Sequence, residues 1–329
     1  MSNVAIFAAH EGCPQHCSFC NQHVIAGQQK KVCAEDVTAA LQIALQNPRH
    51  RENQIAFFGG SFTAMEKRDM QELLEATVPF RAQFAGIRIS TRPDAVNTDI
   101  LAFLKQYDVR AIELGAQSMD DTVLALNRRG HTAADVVRAA ELIKAEGFEL
   151  GLQMMTGLYG DSPQKTFATA RQLIALQPAT VRIYPTVVLE GTELDGLYQA
   201  GLFIPQSLEQ AVEECAALMP LFEQAGIRII RMGLHDSEEV KGKRTAGAYH
   251  PAFRELCQAK RYFEAASAAL EGLPHGSYVL AVGSKYLSQM AGQKKENLRK
   301  LQAQGYQVKI IPDAALSAYQ VKIVNREQD

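Results

Sequence analysis

Three closely spaced cysteines, Cys13, Cys17 and Cys20, form a Cys-x3-Cys-x2-Cys motif just after a short apolar run. Thiolates at this spacing can hold three corners of a cubane iron–sulfur cluster, because cysteine sulfur is the usual protein ligand of its irons. The motif has no fourth cysteine, so one iron would keep an open position for a substrate or cosubstrate, as catalytic metal sites do. The motif is therefore suited to a cubane iron–sulfur cluster with one reactive corner.

Zinc is the alternative metal at this motif. A structural zinc site usually has four ligands, and His10 or His16 could add the fourth to the three cysteines. Disulfides are not expected, because Cys33, Cys215 and Cys257 stand singly on helix-like segments and no secretory signal precedes the first strand. A cluster and a zinc site therefore both stay open at this point.

The bulk composition is typical of a globular enzyme in the cytoplasm. The chain has 329 residues, with 47% hydrophobic and 21% charged residues. Its apolar runs are short and broken by charges, so we expect no transmembrane helix and no membrane partner. A net charge of −2 gives no general attraction to nucleic acid, although basic residues cluster at 241–244 and 294–300.

Apolar periodicity predicts six strand–helix units in a row. The predicted strands are 4–9, 54–58, 87–90, 111–114, 148–154 and 181–184, and the predicted helices are 34–46, 66–76, 98–107, 120–127 with 133–146, and 163–176. Asn97 and Thr132 are suited to cap two of the helices. This alternation predicts an α/β fold, a partial (βα)6 TIM-like barrel of parallel strands, with reacting groups at the carboxyl ends of the strands.

The regular alternation of predicted strands and helices ends at Gly191. Two helices, 194–200 and 208–225, lead to a strand-like segment at 227–231, and a polar loop, a helix over 251–270 and a small unit of strands and short helices follow. We expect a barrel domain over residues 1–231, a connection over 232–250 and a small α/β unit over 251–329. The loop is a candidate lid, and His235, Asp236 and Tyr249 are candidate substrate contacts.

Polar or glycine-containing segments follow the predicted strands. The second strand ends in Gly59 and Gly60, a pair that permits close backbone approach and offers amide groups to a carboxylate ligand. The later strand ends carry Ser-Thr-Arg-Pro-Asp at 90–94, Glu-Leu-Gly-Ala-Gln-Ser at 113–118 with Asn-Arg-Arg-Gly-His at 127–131, and Gln-Met-Met-Thr-Gly at 153–157.

These blocks and the cysteine motif, in this order and spacing, resemble the radical S-adenosylmethionine (SAM) enzymes, and in particular the radical-SAM domain of the Elongator catalytic subunit. The oxygen-independent coproporphyrinogen oxidases are wider relatives. The resemblance runs from about Cys13 to Tyr198. It implies reductive cleavage of SAM and hydrogen abstraction by a deoxyadenosyl radical, with a reductant such as ferredoxin or flavodoxin as partner. The implied substrate is unidentified: tRNA is one candidate, and a porphyrin-like or other small molecule is the alternative.

The resemblance also implies roles for individual residues. The three cysteines would bind the 4Fe–4S cluster, and Gly59, Gly60 and Thr63 would contact the methionine end of SAM. Gln117 and Arg128, with Gln153 as a weaker candidate, would make further polar contacts to SAM. The residues themselves allow a simpler interpretation, in which Gln117 and Arg128 form a buried hydrogen-bonded pair, Glu113 is a structural carboxylate and His131 caps a helix. No catalytic side chain is assigned.

Several features depart from the relatives. Ser90 stands where many of them carry an acidic residue, and the cysteine spacing is closer to that of the coproporphyrinogen oxidases. We expect the RNA-binding extension and the acetyltransferase domain of the Elongator subunit to be absent. Two further hypotheses follow: an RNA-modifying enzyme that docks its substrate through Lys294, Lys295 and Lys300, and a non-enzymatic protein stabilised by an iron–sulfur cluster or zinc.

Overall fold

The computed structural model describes residues 3–8, 11–13, 17–26 and 30–326. Contacts divide the chain into two compact units. Unit 1 comprises Met1–Ser207 and Leu221–Tyr249, and unit 2 comprises Leu208–Pro220 and His250–Asp329. The domain boundaries expected near residues 231 and 250 stay predictions.

Unit 1 is built on a seven-stranded parallel sheet whose strands follow one another in chain order. Its strands are β1 (Asn3–Phe7), β2 (Gln54–Phe58), β3 (Ile87–Thr91), β4 (Val109–Gln117), β5 (Glu149–Thr156), β6 (Thr180–Pro185) and β8 (Arg228–Met232), and between the last two lies a short strand, β7 (Val187–Leu189). Among the described residues β1 and β8 do not pair, so the barrel is open. The predicted partial TIM-like barrel is confirmed, and the strand-like segment at 227–231 supplies its seventh strand.

Helices connect the strands and cover the sheet. They are α1 (Gln22–Ala26), α2 (Ala34–Leu45), α3 (Lys67–Glu75), α4 (Thr98–Lys105), α5 (Asp121–Leu126), α6 (Ala133–Ala145), α7 (Pro163–Ala175), α8 (Glu193–Gln199) and α10 (Glu238–Lys243), with 3-10 turns at His50–Glu52, Phe62–Ala64, Val78–Gln83 and Pro93–Ala95. Helix α9 (Leu208–Gln224) comes between α8 and α10 in the chain, and its residues Leu208–Pro220 belong to unit 2. The predicted caps are confirmed: the Asn97 side chain accepts a hydrogen bond from the Ile100 amide, and Thr132 accepts one from the Asp135 amide.

The strands of the sheet bury apolar side chains under the helices. In β2 Ile55, Ala56 and Phe57 are all buried, whereas in β4 the buried Ile112 and Leu114 flank Glu113, whose side chain lies on the other face of the strand. These apolar positions are why the sequence locates the strands closely. Because the strands run parallel, the polar residues that follow them lie at one edge of the sheet.

The prediction of a loop over residues 232–249 is wrong in its middle, where the chain forms a short helix and a short strand. Ser237 caps helix α10, and Val240 anchors the helix in a small buried cluster. Strand β9 (Arg244–Gly247) then pairs antiparallel with β7. A six-residue helix and a four-residue strand are too short to show a recognisable period, so the sequence reads as a loop.

Unit 2 has its own sheet and core. Its elements after α9 are α11 (Phe253–Leu270), β10 (Gly276–Val282), α12 (Leu287–Ala291), a 3-10 turn at Gln293–Lys295, α13 (Glu296–Ala303), β11 (Tyr306–Pro312) and β12 (Val321–Arg326). Strand β10 pairs parallel with β11 and antiparallel with β12. The buried Asn297 amide donates to the Ala259 and Met290 carbonyl oxygens at 2.8 and 3.0 Å and so ties three helices together. No helix in the described part of the chain has the length and apolar character needed to cross a membrane.

Candidate active site

The carboxyl ends of the barrel strands surround a cavity of about 490 Å³ within unit 1. All three motif cysteines line it, together with Gly59 and Gly60 from the end of β2. The cavity is also lined by Gln117 from β4 and Gln153 from β5. The structure therefore brings most of the predicted site residues to one place.

The segment between Cys17 and Cys20 is fixed by neighbouring elements. The Ser18 hydroxyl donates to the Asn127 side-chain oxygen at 2.9 Å, and the Leu194 amide donates to the Ser18 carbonyl at 2.7 Å. Phe19 packs in an apolar cluster that includes Val123 of α5 and Leu194 of α8. These contacts hold the second and third cysteines against the cavity.

The cysteine thiols lie in a desolvated environment. Burial, and then the proximity of Cys17, raise the pKa of Cys13, and the same causes raise the pKa of Cys20 to about 12. Without a cation these two thiols therefore resist ionisation at neutral pH. A coordinated metal reverses this preference, because thiols that bind a metal lose their protons.

Arg129 supplies positive charge beside the cysteines. Its side chain is only 7% exposed, and Nη1 donates to Cys17 Sγ at 3.0 Å while Nη2 donates to the Gly115 carbonyl at 2.7 Å. Its Nε has no hydrogen-bond partner, and no carboxylate of the described residues pairs with it. A buried guanidinium is costly without an anion. The position therefore fits thiolates and a further anionic ligand, as a cluster with a carboxylate-bearing cosubstrate would provide.

The Gly–Gly turn packs directly on the segment that leads to the cysteines. A Cβ on Gly60 would overlap the carbonyl oxygen of Glu11 and lie 2.5 Å from that of Ala8, so only glycine fits. Gly59 has a φ of +92°, which also favours glycine. The two glycines thus set the shape of the cavity wall next to Cys13.

Thr63 lies outside the cavity. Its hydroxyl donates to the Ala95 carbonyl at 2.6 Å and lies 2.6 Å from the Thr91 hydroxyl. Through these bonds it supports the end of β3. Thr91 itself lines the cavity, and contact of Thr63 with SAM stays a prediction.

Gln117 and Gln153 meet inside the cavity. Gln153 Nε2 donates to Gln117 Oε1 at 3.2 Å. Gln117 has a φ of +64°, and the register of β4 with β5 shifts between Gly115 and Gln117. A bulge and a left-handed non-glycine residue at a strand end are costly and are typical of functional sites.

Arg128 points away from the cavity. Its side chain is 65% exposed and pairs with Glu193 at 2.8 Å. Its φ of +50° reverses the chain, so that the following Arg129 turns inward. The pairing of Gln117 with Arg128 suggested by the sequence is therefore not observed, and Arg129 occupies the position beside the cysteines. The sequence offers no signal that separates two adjacent arginines.

A buried charge network forms the floor of the cavity. Glu113, 3% exposed, accepts from Arg88 at 3.1 Å and from Arg182 at 2.6 and 3.1 Å. Arg88 also pairs with Glu149 at 2.6 Å. A Cβ on Gly151 would lie 2.8 Å from the Glu113 side chain, so this glycine makes room for the network. The structural interpretation of Glu113 agrees with these contacts.

The other residues singled out from the sequence take different positions. Ser90 lines the cavity, as do Met155 and His235, whereas Met154 is fully buried outside it. His131 does not cap the helix, since Thr132 does. Its Nε2 lies 3.2 Å from the Ala116 carbonyl, and burial followed by the Arg129 charge lowers the pKa of His131 to about 4.

The remaining loop candidates contact one another rather than the cavity. The Tyr249 hydroxyl donates to Asp236 at 3.1 Å, and Lys241 pairs with the same carboxylate at 2.7 Å. His10 and His16, the candidate fourth zinc ligands, lie outside the described residues. Within 3–8, 11–13, 17–26 and 30–326, no three His, Cys, Asp or Glu side chains converge as they would on a single metal ion. A cubane cluster does not need its ligands to converge on one point, because each cysteine binds a different iron.

Comparisons with known proteins place the chain in a family. The profile of the Radical SAM superfamily matches residues 9–173, and that of the Radical_SAM C-terminal domain matches residues 178–265. This family uses a 4Fe–4S cluster and SAM.

Two curated relatives are similar to part of this chain. A tRNA uridine(34) acetyltransferase of Methanocaldococcus infernus is 30% identical over 171 residues, which are 50% of this chain and 32% of that protein. Elongator complex protein 3 of Homo sapiens is 33% identical over 143 residues, 41% of this chain and 26% of that protein. The matched segment thus spans about a third or less of each relative.

A solved structure shares the fold. The archaeal Methanocaldococcus infernus Elp3 with an N-terminal deletion has a TM-score of 0.63 at 20% identity, covering 80% of this chain and 62% of that chain. The Radical SAM profile match spans the cysteine motif and strands β2 to β5. The chain belongs to the radical SAM superfamily of enzymes.

Proposed function

We propose that Cys13, Cys17 and Cys20 hold a 4Fe–4S cluster and that SAM binds at its open iron. When bound, the two groups supply reductive cleavage of SAM to methionine and a 5′-deoxyadenosyl radical, which abstracts hydrogen from a substrate in the cavity. The observation that carries the proposal is that three cysteines, a Gly–Gly turn and a buried arginine line one cavity, and that no carboxylate in the described part of the chain pairs with this arginine.

The side chains around the cysteines orient SAM in this proposal. Arg129 neutralises the thiolates and receives the carboxylate of SAM through its guanidinium, which no carboxylate of the described residues compensates. Gly59 and Gly60 present backbone amides to the methionine end. Gln117 and Gln153, already hydrogen-bonded to each other, make the further polar contacts.

Binding of SAM to Arg129 and Arg128 variants tests this assignment. We expect Arg129→Gln to weaken SAM binding about tenfold or more, because a charge-assisted hydrogen bond is lost. Arg128→Gln, at the exposed neighbouring arginine, should bind SAM as the unmodified protein does. The measurement is equilibrium binding of SAM to anaerobically reconstituted protein without reductant, with iron content determined in each sample. The opposite ranking would restore the assignment of Arg128 that the resemblance implies.

The second part of the proposal is that the substrate is a tRNA. Relatives named for tRNA modification support it, and so does the charge of unit 2. Residues 285–326 contain eight lysine and arginine residues and two acidic residues, Glu296 and Asp313. Lys300 pairs with Glu296 at 2.8 Å, whereas Lys294 and Lys295 have no ion pair within the described residues. Such a basic surface attracts a nucleic-acid backbone regardless of sequence.

Salt-dependent binding of bulk bacterial tRNA tests the docking surface. We replace Lys294, Lys295 and Lys300 by glutamine in one variant. This variant should bind tRNA more weakly, and the slope of log K against log salt concentration should fall in magnitude by about one for each lysine that contacts a phosphate. A variant with the same charge change elsewhere, Arg138, Lys144 and Arg171 on α6 and α7 replaced by glutamine, should keep the original slope. Absence of binding above background at low salt would contradict the tRNA proposal and favour a small-molecule substrate.

The remaining elements of the proposal concern the cell. Ferredoxin or flavodoxin is the proposed electron donor, and the cytoplasm is the proposed location. We propose the radical SAM barrel over residues 1–231 and a small C-terminal unit over 251–329, joined by residues 232–250.

A further inference from the structure

We infer that Arg231, on the wall of the cavity formed by β6 and β8, binds an oxyanion of the substrate, a phosphate or a carboxylate. The inference rests on the proposed function, because it identifies a group on the molecule that the radical attacks. It follows from the charges that line the cavity and from the strand register.

The cavity wall carries more positive than negative charge. Four arginines line it, and Glu113 is the only carboxylate among its described lining residues. Arg92 is neutralised by Asp94, with two bonds of 2.9 Å. Arg129 lies beside the cysteines and belongs to the site of the cluster and SAM.

Arg182 is neutralised within the floor of the cavity. It shares Glu113 with Arg88, and Arg88 takes Glu149 as a second partner, so two arginines face two carboxylates. The Arg182 guanidinium also stacks over the Phe58 ring, 4.6 Å from its centroid. The floor is therefore close to neutral and saturated with hydrogen bonds.

Arg231 has no such compensation. Its Nε donates to the Gly233 carbonyl at 3.0 Å, and no carboxylate of the described residues lies within ion-pair distance of it. Its direct partner in the register of β6 with β8 is Arg182, another arginine. Like charges opposite each other destabilise a sheet. His235, which also lines the cavity, adds no charge at neutral pH, since burial and the Arg231 charge lower its pKa.

The strand register places Arg231 away from the cysteines. Gly115, Gln153, Arg182 and Arg231 are neighbours in one row across β4, β5, β6 and β8. Arg129 binds the Gly115 carbonyl at the start of this row. Three strand spacings separate the two ends, about 14 Å along the sheet. The backbone positions to which the two arginines are tied are therefore three strands apart, and in this inference a substrate anion binds at Arg231 while SAM binds at Arg129.

Small aromatic probes that differ in charge test the inference, since the rings of Phe58 and Tyr184 line the cavity. Phenyl phosphate, benzoate and the neutral benzamide are titrated by NMR into anaerobically reconstituted protein saturated with SAM, without reductant. At least one anion should bind about tenfold or more tightly than benzamide, because a charge-assisted hydrogen bond is gained. Preference for phenyl phosphate or for benzoate identifies the oxyanion as phosphate or carboxylate.

Variants at two arginines of β8 complete the test. Arg231→Gln should remove the preference for the anion, and Arg231→Lys, which keeps the charge, should retain most of it. Arg228→Gln is the matched control, because Arg228 lies on the same strand, is 55% exposed and does not line the cavity. Equal binding of all three probes, or a preference that survives in Arg231→Gln, would overturn the inference. SAM binding measured in the same samples shows separately whether the proposed function holds.

Discussion

Cys17→Ala is expected to bring the iron and sulfide content of reconstituted protein down to background. Cys17 is 8% exposed, and its sulfur accepts from Arg129 at 3.0 Å. Its removal deletes one of three proposed cluster ligands and also leaves the Arg129 guanidinium without its sulfur partner. Both effects act against retention of the cluster. The measurement is iron and acid-labile sulfide per chain, with the visible absorbance of the same samples.

Cys33→Ser is the control for this experiment. Cys33 caps helix α2 and does not line the cavity, and serine is a good capping residue, so the variant should keep its full iron and sulfide content. Full cluster content in Cys17→Ala would contradict the proposed ligand set. Stoichiometric zinc in aerobically purified protein, with no cluster after reconstitution, would favour the zinc alternative.

Glu113→Gln is expected to give the largest loss of stability. The substitution keeps the shape of the side chain but removes the charge that Arg88 and Arg182 share. Breaking a buried ion pair from one side costs about 3–5 kcal/mol, because the other charge stays buried without compensation. The measurement is the free energy of unfolding of unit 1 in urea, with the metal content matched between variants.

Glu149→Gln is the matched comparison, since Glu149 pairs with the same Arg88 but is 32% exposed. Water replaces an exposed partner readily, so its loss should cost about 1 kcal/mol or less. Equal losses in the two variants would show that the network does not depend on the buried carboxylate. A loss confined to Glu113→Gln would support the floor of the cavity as a rigid support for the strand ends.

The strands of the barrel were predictable because their buried positions give short apolar runs, continuous in β2 and interrupted by single charged residues in β4 and β6. Strand β2 was predicted with its observed bounds, Gln54–Phe58. Elements such as α10 and β9 could not be found in this way, because they are too short to show a periodic pattern of apolar residues. Their stability comes from a cap, one buried valine and pairing with β7, which are tertiary effects.

Within the site, most of the residues that line the cavity were predictable, but the direction in which a side chain points was not. The cysteines, Gly59, Gly60 and the two glutamines were identified from the sequence, and all line the cavity. The choice between Arg128 and Arg129 depends on a single left-handed residue, which no residue pattern encodes. Arg231 was missed because only the register of β8 with β6 shows that its neighbour is another arginine rather than a carboxylate. In each case the missing information lies in backbone geometry and neighbouring charges.

The formation of 5′-deoxyadenosine tests the central claim most directly. Anaerobically reconstituted protein is given dithionite and SAM, and deoxyadenosine and methionine are quantified over time, with samples lacking SAM, dithionite or iron as controls. The account predicts that both products form together and only in the complete mixture. Protein that retains its cluster and yet forms no deoxyadenosine, with or without tRNA, would contradict it.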